Sequence, residues 1–185
     1  MFDLQTMKLF FAILALCANV AVVGYLLTAV AARWSSSAAE TRDRIHEMLA
    51  GYELLFGAIV AGVAMLGSLY LSEVAHLIPC TDCWYQRIAM YPIAIILGIA
   101  AYRRDRDIRV YVAPLAIIGG IISTYHYLIQ WFPNLEGTAC SSAVPCTSFL
   151  FRVFGFMSIP YMAGSAFALV LLMMWMVREN DGVAD

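Results

Sequence analysis

The sequence predicts an all-α integral membrane protein that crosses the bilayer five times. Composition is the first reason: 63% of the 185 residues are hydrophobic, 13% are charged and the mean hydropathy is +0.80, outside the range of an ordinary soluble domain. The second is a set of five apolar runs of 18 to 25 residues, each close to the roughly 20 residues that carry a helix across hydrocarbon. The third is the uneven placement of lysine and arginine between the runs. A net charge of −2 with no basic stripe argues against nucleic acid as a partner.

Residues 9–32 form the first run. Ala29-Val30-Ala31 resembles a small-residue cleavage site, but 24 apolar residues exceed a signal-peptide core of about 7 to 15 and only Lys8 precedes them. A retained anchor is expected. In residues 33–53, Ser35-Ser36-Ser37 suits a helix cap, and Ile45, Met48, Leu49 and Tyr52 follow at helical spacing. Two readings stand there, an amphipathic helix on the membrane surface or a solvated linker.

The second run, 54–77, carries Glu73 and His76 near its end. The third, 84–101, is the shortest and contains Arg87 and Pro92. A turn with Arg103, Arg104, Asp105, Arg106 and Asp107 leads to the fourth run, 110–132, with His126 near its end. The loop 133–152 contains Pro133, Gly137, Pro145, Cys140 and Cys146, and Phe149-Leu150-Phe151 are expected along the interface. Residues 153–177 form the fifth run. No internal repeat and no low-complexity segment is evident.

With five spans, Arg33, Arg42, Arg44, Arg103, Arg104, Arg106, Arg109 and Arg178 share one side, eight of the eleven basic residues. The other side keeps Lys8, Arg87 and Arg152. The positive-inside rule makes the crowded side cytoplasmic. Both cysteine pairs then face outward, where disulfides persist.

Pro79-Cys80-Thr81-Asp82-Cys83-Trp84-Tyr85-Gln86-Arg87 is the stretch that carries chemistry. A Cys-x-x-Cys ring opens and re-forms readily, and an intramembrane arginine marks a function. With a helix beginning at Trp84, Cys83 sits at its N-terminus, where the helix dipole and Arg87 one turn on lower its thiol pKa. Cys80, farther from Arg87, benefits less. Cys83 is the candidate for chemistry within the membrane and Cys80 for exchange with another thiol. A structural Cys80–Cys83 disulfide is the plainer alternative, weakened because so small a loop removes little chain entropy.

Cys140 and Cys146 form either a structural clip or a second exchanging pair. All four cysteines could instead bind one zinc ion, although the second spacing is wide and Arg87 opposes a cation. Glu73, Arg87 and His126 lie at similar depth, counting about 1.5 Å per residue. They make either a Glu73–Arg87 ion pair with His126 bonded to a neighbour, or a polar pocket for the head of a lipid-soluble electron acceptor, and the two are compatible. Trp84, Tyr85, Tyr125, Tyr127 and Trp131 are candidates to stack on such a ring, or form an aromatic belt. Cys17, alone in its run, reads as inert packing.

At these residues the chain resembles the DsbB/BdbC family of membrane thiol–quinone oxidoreductases, particularly the BdbC-like branch. The matching stretches are Ser72-Glu73-Val74, Ile78 through Arg87, Tyr125-His126-Tyr127-Leu128, Val144-Pro145-Cys146-Thr147, Gly155-Phe156 and Ser158-Ile159-Pro160. The resemblance implies a four-helix catalytic bundle over 54–177, preceded by an additional transmembrane helix and linker over 1–53 and followed by a cytoplasmic tail over 178–185. It implies a protein-dithiol:quinone oxidoreductase of the inner or plasma membrane, with ubiquinone or menaquinone as acceptor and a DsbA/BdbD-like thioredoxin-fold thiol oxidase as partner. Cys140–Cys146 would take electrons from that partner, through a mixed disulfide at Cys140, and then exchange with Cys80–Cys83. Cys83 would pass them to quinone with Arg87 stabilising the negative charge, and His126 and Glu73 would serve quinone binding or proton handling. A vitamin K epoxide reductase-like quinone reductase and a structural membrane module, with zinc or inert disulfides, are the rival readings.

Overall fold

The computed structural model describes residues 4–137, 140 and 144–182, with side chains through 179. The parts of the expected outer loop at 138–139 and 141–143, and the end of the tail at 183–185, lie outside the described residues. The architecture is all-α, with five helices long and apolar enough to span a membrane. Their lipid-facing sides carry large apolar side chains such as Phe10, Val20, Leu27, Ile88 and Ile121, all exposed in the chain alone. Such surfaces are stable only in hydrocarbon.

Helix α1 spans Leu4–Ala31. It buries Ala12, Ala15 and Ala18 at three-residue steps, a stripe of small side chains that lets its backbone approach a neighbour, and Tyr25 two turns on. Helix α2, Ser36–Leu49, resolves the linker in favour of the amphipathic helix: Ile45 and Leu49 pack on the core while Met48 stays exposed. Ser35 is its N-cap residue.

Helix α3, Glu53–Leu69, runs on into a π-helical turn over Tyr70–Val74. The chain leaves that turn through His76, held at φ 53, and reaches α4, Thr81–Arg103. The third span thus begins three residues before the expected Trp84. Extended backbone at Cys80 (φ −73°, ψ 174°) lets its carbonyl accept from the N–H of Trp84 at 3.2 Å, so helix geometry begins directly after Cys80.

Helix α5 covers Arg109–Trp131 and α6 covers Ile159–Gly182. The fifth span starts six residues later than the expected 153. Val153 and Met157 instead exchange backbone hydrogen bonds of 2.9 and 3.0 Å across a reversal. Phe154 and Gly155 make that reversal with positive φ, which no helix accommodates.

The core lies between α3, α4, α5 and α6, around Ile93, Leu97, Val112, Phe167 and Val170. Phe167 lies over Gly119 of α5, where a Cβ would come within 2.2 Å of its ring. At the arginine-rich end, Arg106 donates to the carbonyl of Val177 at 3.2 Å and pairs with Glu53 at 3.5 Å. Tyr25, His46 and Glu179 meet there within 2.7 to 3.0 Å, tying α1 and α2 to α6.

Candidate active site

Both cysteine pairs lie at the same end of the bundle, in one buried cluster of Cys80, Cys83, Cys146 and Ile129 with Cys140 and Val144 against it. Cys140 and Cys146 are joined as a disulfide and Cys80 and Cys83 are thiols. The Cys80 and Cys83 sulfurs are 2.9 Å apart and share a hydrogen bond. Bond formation between them needs about 0.9 Å of closure.

The start of α4 gives the two thiols different surroundings. Cys80 is the N-cap and Cys83 lies within the first turn. Hydrogen bonds from Cys83, and then from His126, hold the Cys80 thiol well below its ordinary value of 9.0, against the opposing effect of burial. The helix N-terminus acts in the same direction. The expectation from sequence gave the lower pKa to Cys83. It placed the helix start three residues too late and could not register His126, which arrives from α5.

His126 is 2% exposed. Its Nε2 lies 3.6 Å from the Cys80 sulfur and 3.2 Å from the carbonyl oxygen of Cys146. A carbonyl only accepts, so Nε2 carries a proton. The Gln86 side chain stands 3.0 Å from Nδ1, and its amide N–H donating there fits the neutral imidazole. His126 is therefore interposed between the two cysteine pairs. It borders a small cleft with Cys80, Cys83, Gln130 and Pro145 and is not among the residues lining the larger cavity.

That larger cavity, about 480 Å³, opens on the other side of Cys83. Cys83, Gln86 and Arg87 form its polar end, and Met90, Tyr91 and Phe167 continue its wall. Arg87 donates through Nε to the hydroxyl of Ser68 (2.9 Å) and through Nη2 to the carbonyl of Ser68 (3.0 Å). Its guanidinium lies over the Trp84 ring at 5.1 Å. The anticipated Glu73–Arg87 ion pair does not form among the described residues. Glu73 is exposed on the π-helical turn and accepts from the Ser72 hydroxyl at 2.9 Å.

None of the five aromatic candidates, Trp84, Tyr85, Tyr125, Tyr127 and Trp131, lines the larger cavity, and three of them hold the outer loop. Tyr125 donates to the carbonyl of Leu135 and accepts from the N–H of Gly137, and Tyr127 donates to the carbonyl of Phe156. Trp131 packs edge-on to Phe149, over which Arg152 lies at 4.2 Å. Trp84 serves Arg87, and Tyr85 is exposed without lining the cavity. Gln86, Ser68 and Asp82 carry no functional signal in the sequence. Gln86 stood in the motif without a visible partner, and Ser68 has no local signal because its partner is nineteen positions away. Asp82 is buried, with a carboxylate oxygen 3.8 Å from the Cys140 sulfur.

Residues 52–177 match the family described as disulfide bond formation protein DsbB. The chain belongs to the DsbB family. Disulfide bond formation protein C of Bacillus subtilis (strain 168) is 49% identical over 121 residues, which are 65% of this chain and 88% of that protein. The probable disulfide formation protein of Oceanobacillus iheyensis is 41% identical over 131 residues, 70% of this chain and 90% of that one. A Coxiella burnetii protein described in the same words is 42% identical over 120 residues, covering 64% and 82%. No solved structure gives a significant match. The DsbB match begins at Tyr52, so α1 and α2 lie outside it.

Proposed function

We propose that this DsbB-family protein makes disulfides for exported proteins by oxidising the dithiol of a thioredoxin-fold thiol oxidase and delivering the electrons to a membrane quinone. One observation carries the reading: an apolar cavity ends at a thiol and an arginine, and a second cysteine pair lies directly behind that thiol. Catalysis belongs to the bundle over 54–177. The clustering of basic residues at the opposite end supports a plasma- or inner-membrane protein with its cysteines on the non-cytosolic side.

The cavity fits a quinone. Its volume of about 480 Å³ falls in the range of small-molecule sites. Ser68 takes two of the five guanidinium donors of Arg87 among the described residues, which leaves donors for a carbonyl oxygen. A bound quinone supplies a two-electron, two-proton acceptor.

The residues of this chain do the rest. The Cys140–Cys146 disulfide accepts attack by a partner thiolate at Cys140, forming a mixed disulfide and freeing Cys146 as a thiolate. The partner's second thiol attacks its own sulfur in that mixed disulfide and releases Cys140, so the partner leaves oxidised and this pair holds two electrons. Exchange with an oxidised Cys80–Cys83 pair restores the first disulfide and leaves the second as a dithiol. His126, whose Nε2–H faces the Cys80 sulfur and the carbonyl oxygen of Cys146, is placed to stabilise the thiolate that forms at Cys80 in that exchange. Cys83 stands at the cavity and Arg87 stabilises negative charge there. Closure of the Cys80–Cys83 bond releases two electrons and two protons to the acceptor.

The deciding experiment is a quinone-reduction assay with purified protein and a reduced thioredoxin-fold partner, run beside Ala variants at Cys80, Cys83, Cys140 and Cys146. Cys83→Ala should fold and lose turnover, and normal turnover in that variant would remove the mechanism. A metal centre is the second reading, because Cys80, Cys83 and His126 place three donor atoms within 4.8 Å of one another. Stoichiometric zinc in the purified protein would favour it, although Cys140 and Cys146, being joined, do not complete a four-thiolate site.

A further inference from the structure

Helix α1 lies outside the DsbB match yet forms part of the cavity that ends at Cys83 and Arg87. One edge of α1 docks on α6. Asn19 donates to the hydroxyl of Ser165 at 2.8 Å and to that of Tyr161 at 3.3 Å, and the alanine stripe supports the same contact. The other edge lines the cavity with Phe11, Leu14, Cys17 and Ala21. From Phe11 to Ala21 that wall is about 15 Å long at 1.5 Å per residue.

The upper end of the wall touches the machinery that holds Arg87. The Phe11 ring lies against Gly67 so closely that a Cβ there would be 2.6 Å from Cζ. Gly67 immediately precedes Ser68, which receives both hydrogen bonds from Arg87. The lower part of the wall is built of small side chains, Ala15, Cys17, Ala18 and Ala21, which leave room beside α3 where larger ones would fill it. Opposite stand Ile59, Val60 and Val63 of α3, giving an apolar slot continuous with the polar end.

We propose that α1 is the fourth wall of the acceptor chamber: it closes the membrane-facing side between α3 and α6, and its small-residue edge receives the apolar tail of the quinone. The proposal rests on the quinone reading above and adds to it a binding role for a helix that the family match does not include. Cys17 and Ala21 stand outside the stripe that docks on α6, so docking alone does not account for the small side chains along this part of the cavity. Phe11 is a positioning residue on this account, acting through Gly67 and Ser68 on Arg87.

Cys17 is a built-in reporter, since it is exposed and lines the slot. With both cysteine pairs oxidised it is the single free thiol of the five. The full-length protein in lipid nanodiscs is treated with N-ethylmaleimide with and without decylubiquinone, and alkylation of Cys17 is followed by mass spectrometry. At about ten times its Kd the quinone should slow Cys17 labelling about tenfold, since only unoccupied protein reacts. In parallel, Ala21→Trp, which fills the slot from an exposed position of α1, should raise KM for decylubiquinone about tenfold while exchange with the dithiol partner is unchanged.

Equal labelling with and without quinone, in protein that still reduces it, overturns the role of α1 and leaves the proposed activity standing. Failure to reduce quinone at all removes that activity and this inference with it. Should Ala21→Trp fail to fold, protection of Cys17 in the unaltered chain decides alone.

Discussion

Cys80 and Cys83 share the start of one helix and the small cleft beside His126, but only Cys83 also reaches the larger cavity. Cys80 looks toward His126 and the outer disulfide, and Cys83 borders the apolar chamber. Removing His126 should therefore slow transfer between the pairs and spare the chamber. His126→Ala is expected to lower the exchange rate about 10- to 100-fold, the cost of losing a charge-assisted hydrogen bond of about 1.5–3 kcal/mol, in rapid-quench alkylation, with KM for quinone unchanged. Arg87→Ala should do the converse: losing a charge-assisted hydrogen bond of about 1.5–3 kcal/mol raises KM for quinone about 10- to 100-fold and leaves exchange intact. The depressed Cys80 pKa gives a pH test. Its thiolate stabilises the reduced protein fully above the ordinary thiol value of 9.0, and that stability is lost as pH falls through the lower folded value. Thiolate absorbance near 240 nm in the reduced protein should titrate with a midpoint below neutrality and vanish in Cys80→Ser; a midpoint at the ordinary value would refute the assignment.

Among elements, α5 and α6 approach closely where Gly119 meets Phe167. Phe167 is wholly buried over Gly119, and even a methyl group there would meet its ring at 2.2 Å. Gly119→Ala should destabilise by about 1–3 kcal/mol, the usual range for overpacking, read as a lowered midpoint in a denaturation of the detergent-solubilised protein. The docking of α1 is held differently, by the Asn19 bonds across to Ser165 and Tyr161. Asn19→Ala should lose about 0.6 kcal/mol, typical of an interhelical hydrogen bond in a membrane. Proteolysis between α1 and α2 would report the loosening. The π-helical turn closing α3 carries Glu73 away from Arg87, and Ser68, one turn earlier, takes the guanidinium in its place.

For the molecule as a whole, the two ends have separate characters. One gathers both cysteine pairs, and at the other Arg106, in the loop after α4, ties α3 to α6 through Glu53 and Val177. A membrane-impermeant maleimide added from outside intact cells after mild reduction should label Cys80 and Cys140 alike, since both belong to one end. Labelling of one with protection of the other by the bilayer would refute the proposed electron path from partner to chamber. The chamber is a property of this whole arrangement, because α1, α3, α4 and α6 each supply a wall.

Much of this was legible in the sequence because it depends on local pattern. Apolar runs of membrane length give five spans, the arginine bias separates an arginine-rich end from the end that bears both cysteine pairs, and the spacing of Cys80, Cys83 and Arg87 puts two thiols and a charge on consecutive turns. Helix boundaries were less legible: a Cys-rich start and a Phe154-Gly155 reversal shift two spans by three and six residues. Partners distant in the chain were not legible at all. That Arg87 meets Ser68 and not Glu73, and that His126 stands between the cysteine pairs, follows from how helices rotate and dock against one another. So does the place of α1 along the chamber. Periodicity sets which face of a helix is buried, but side-chain packing sets which neighbour that face meets.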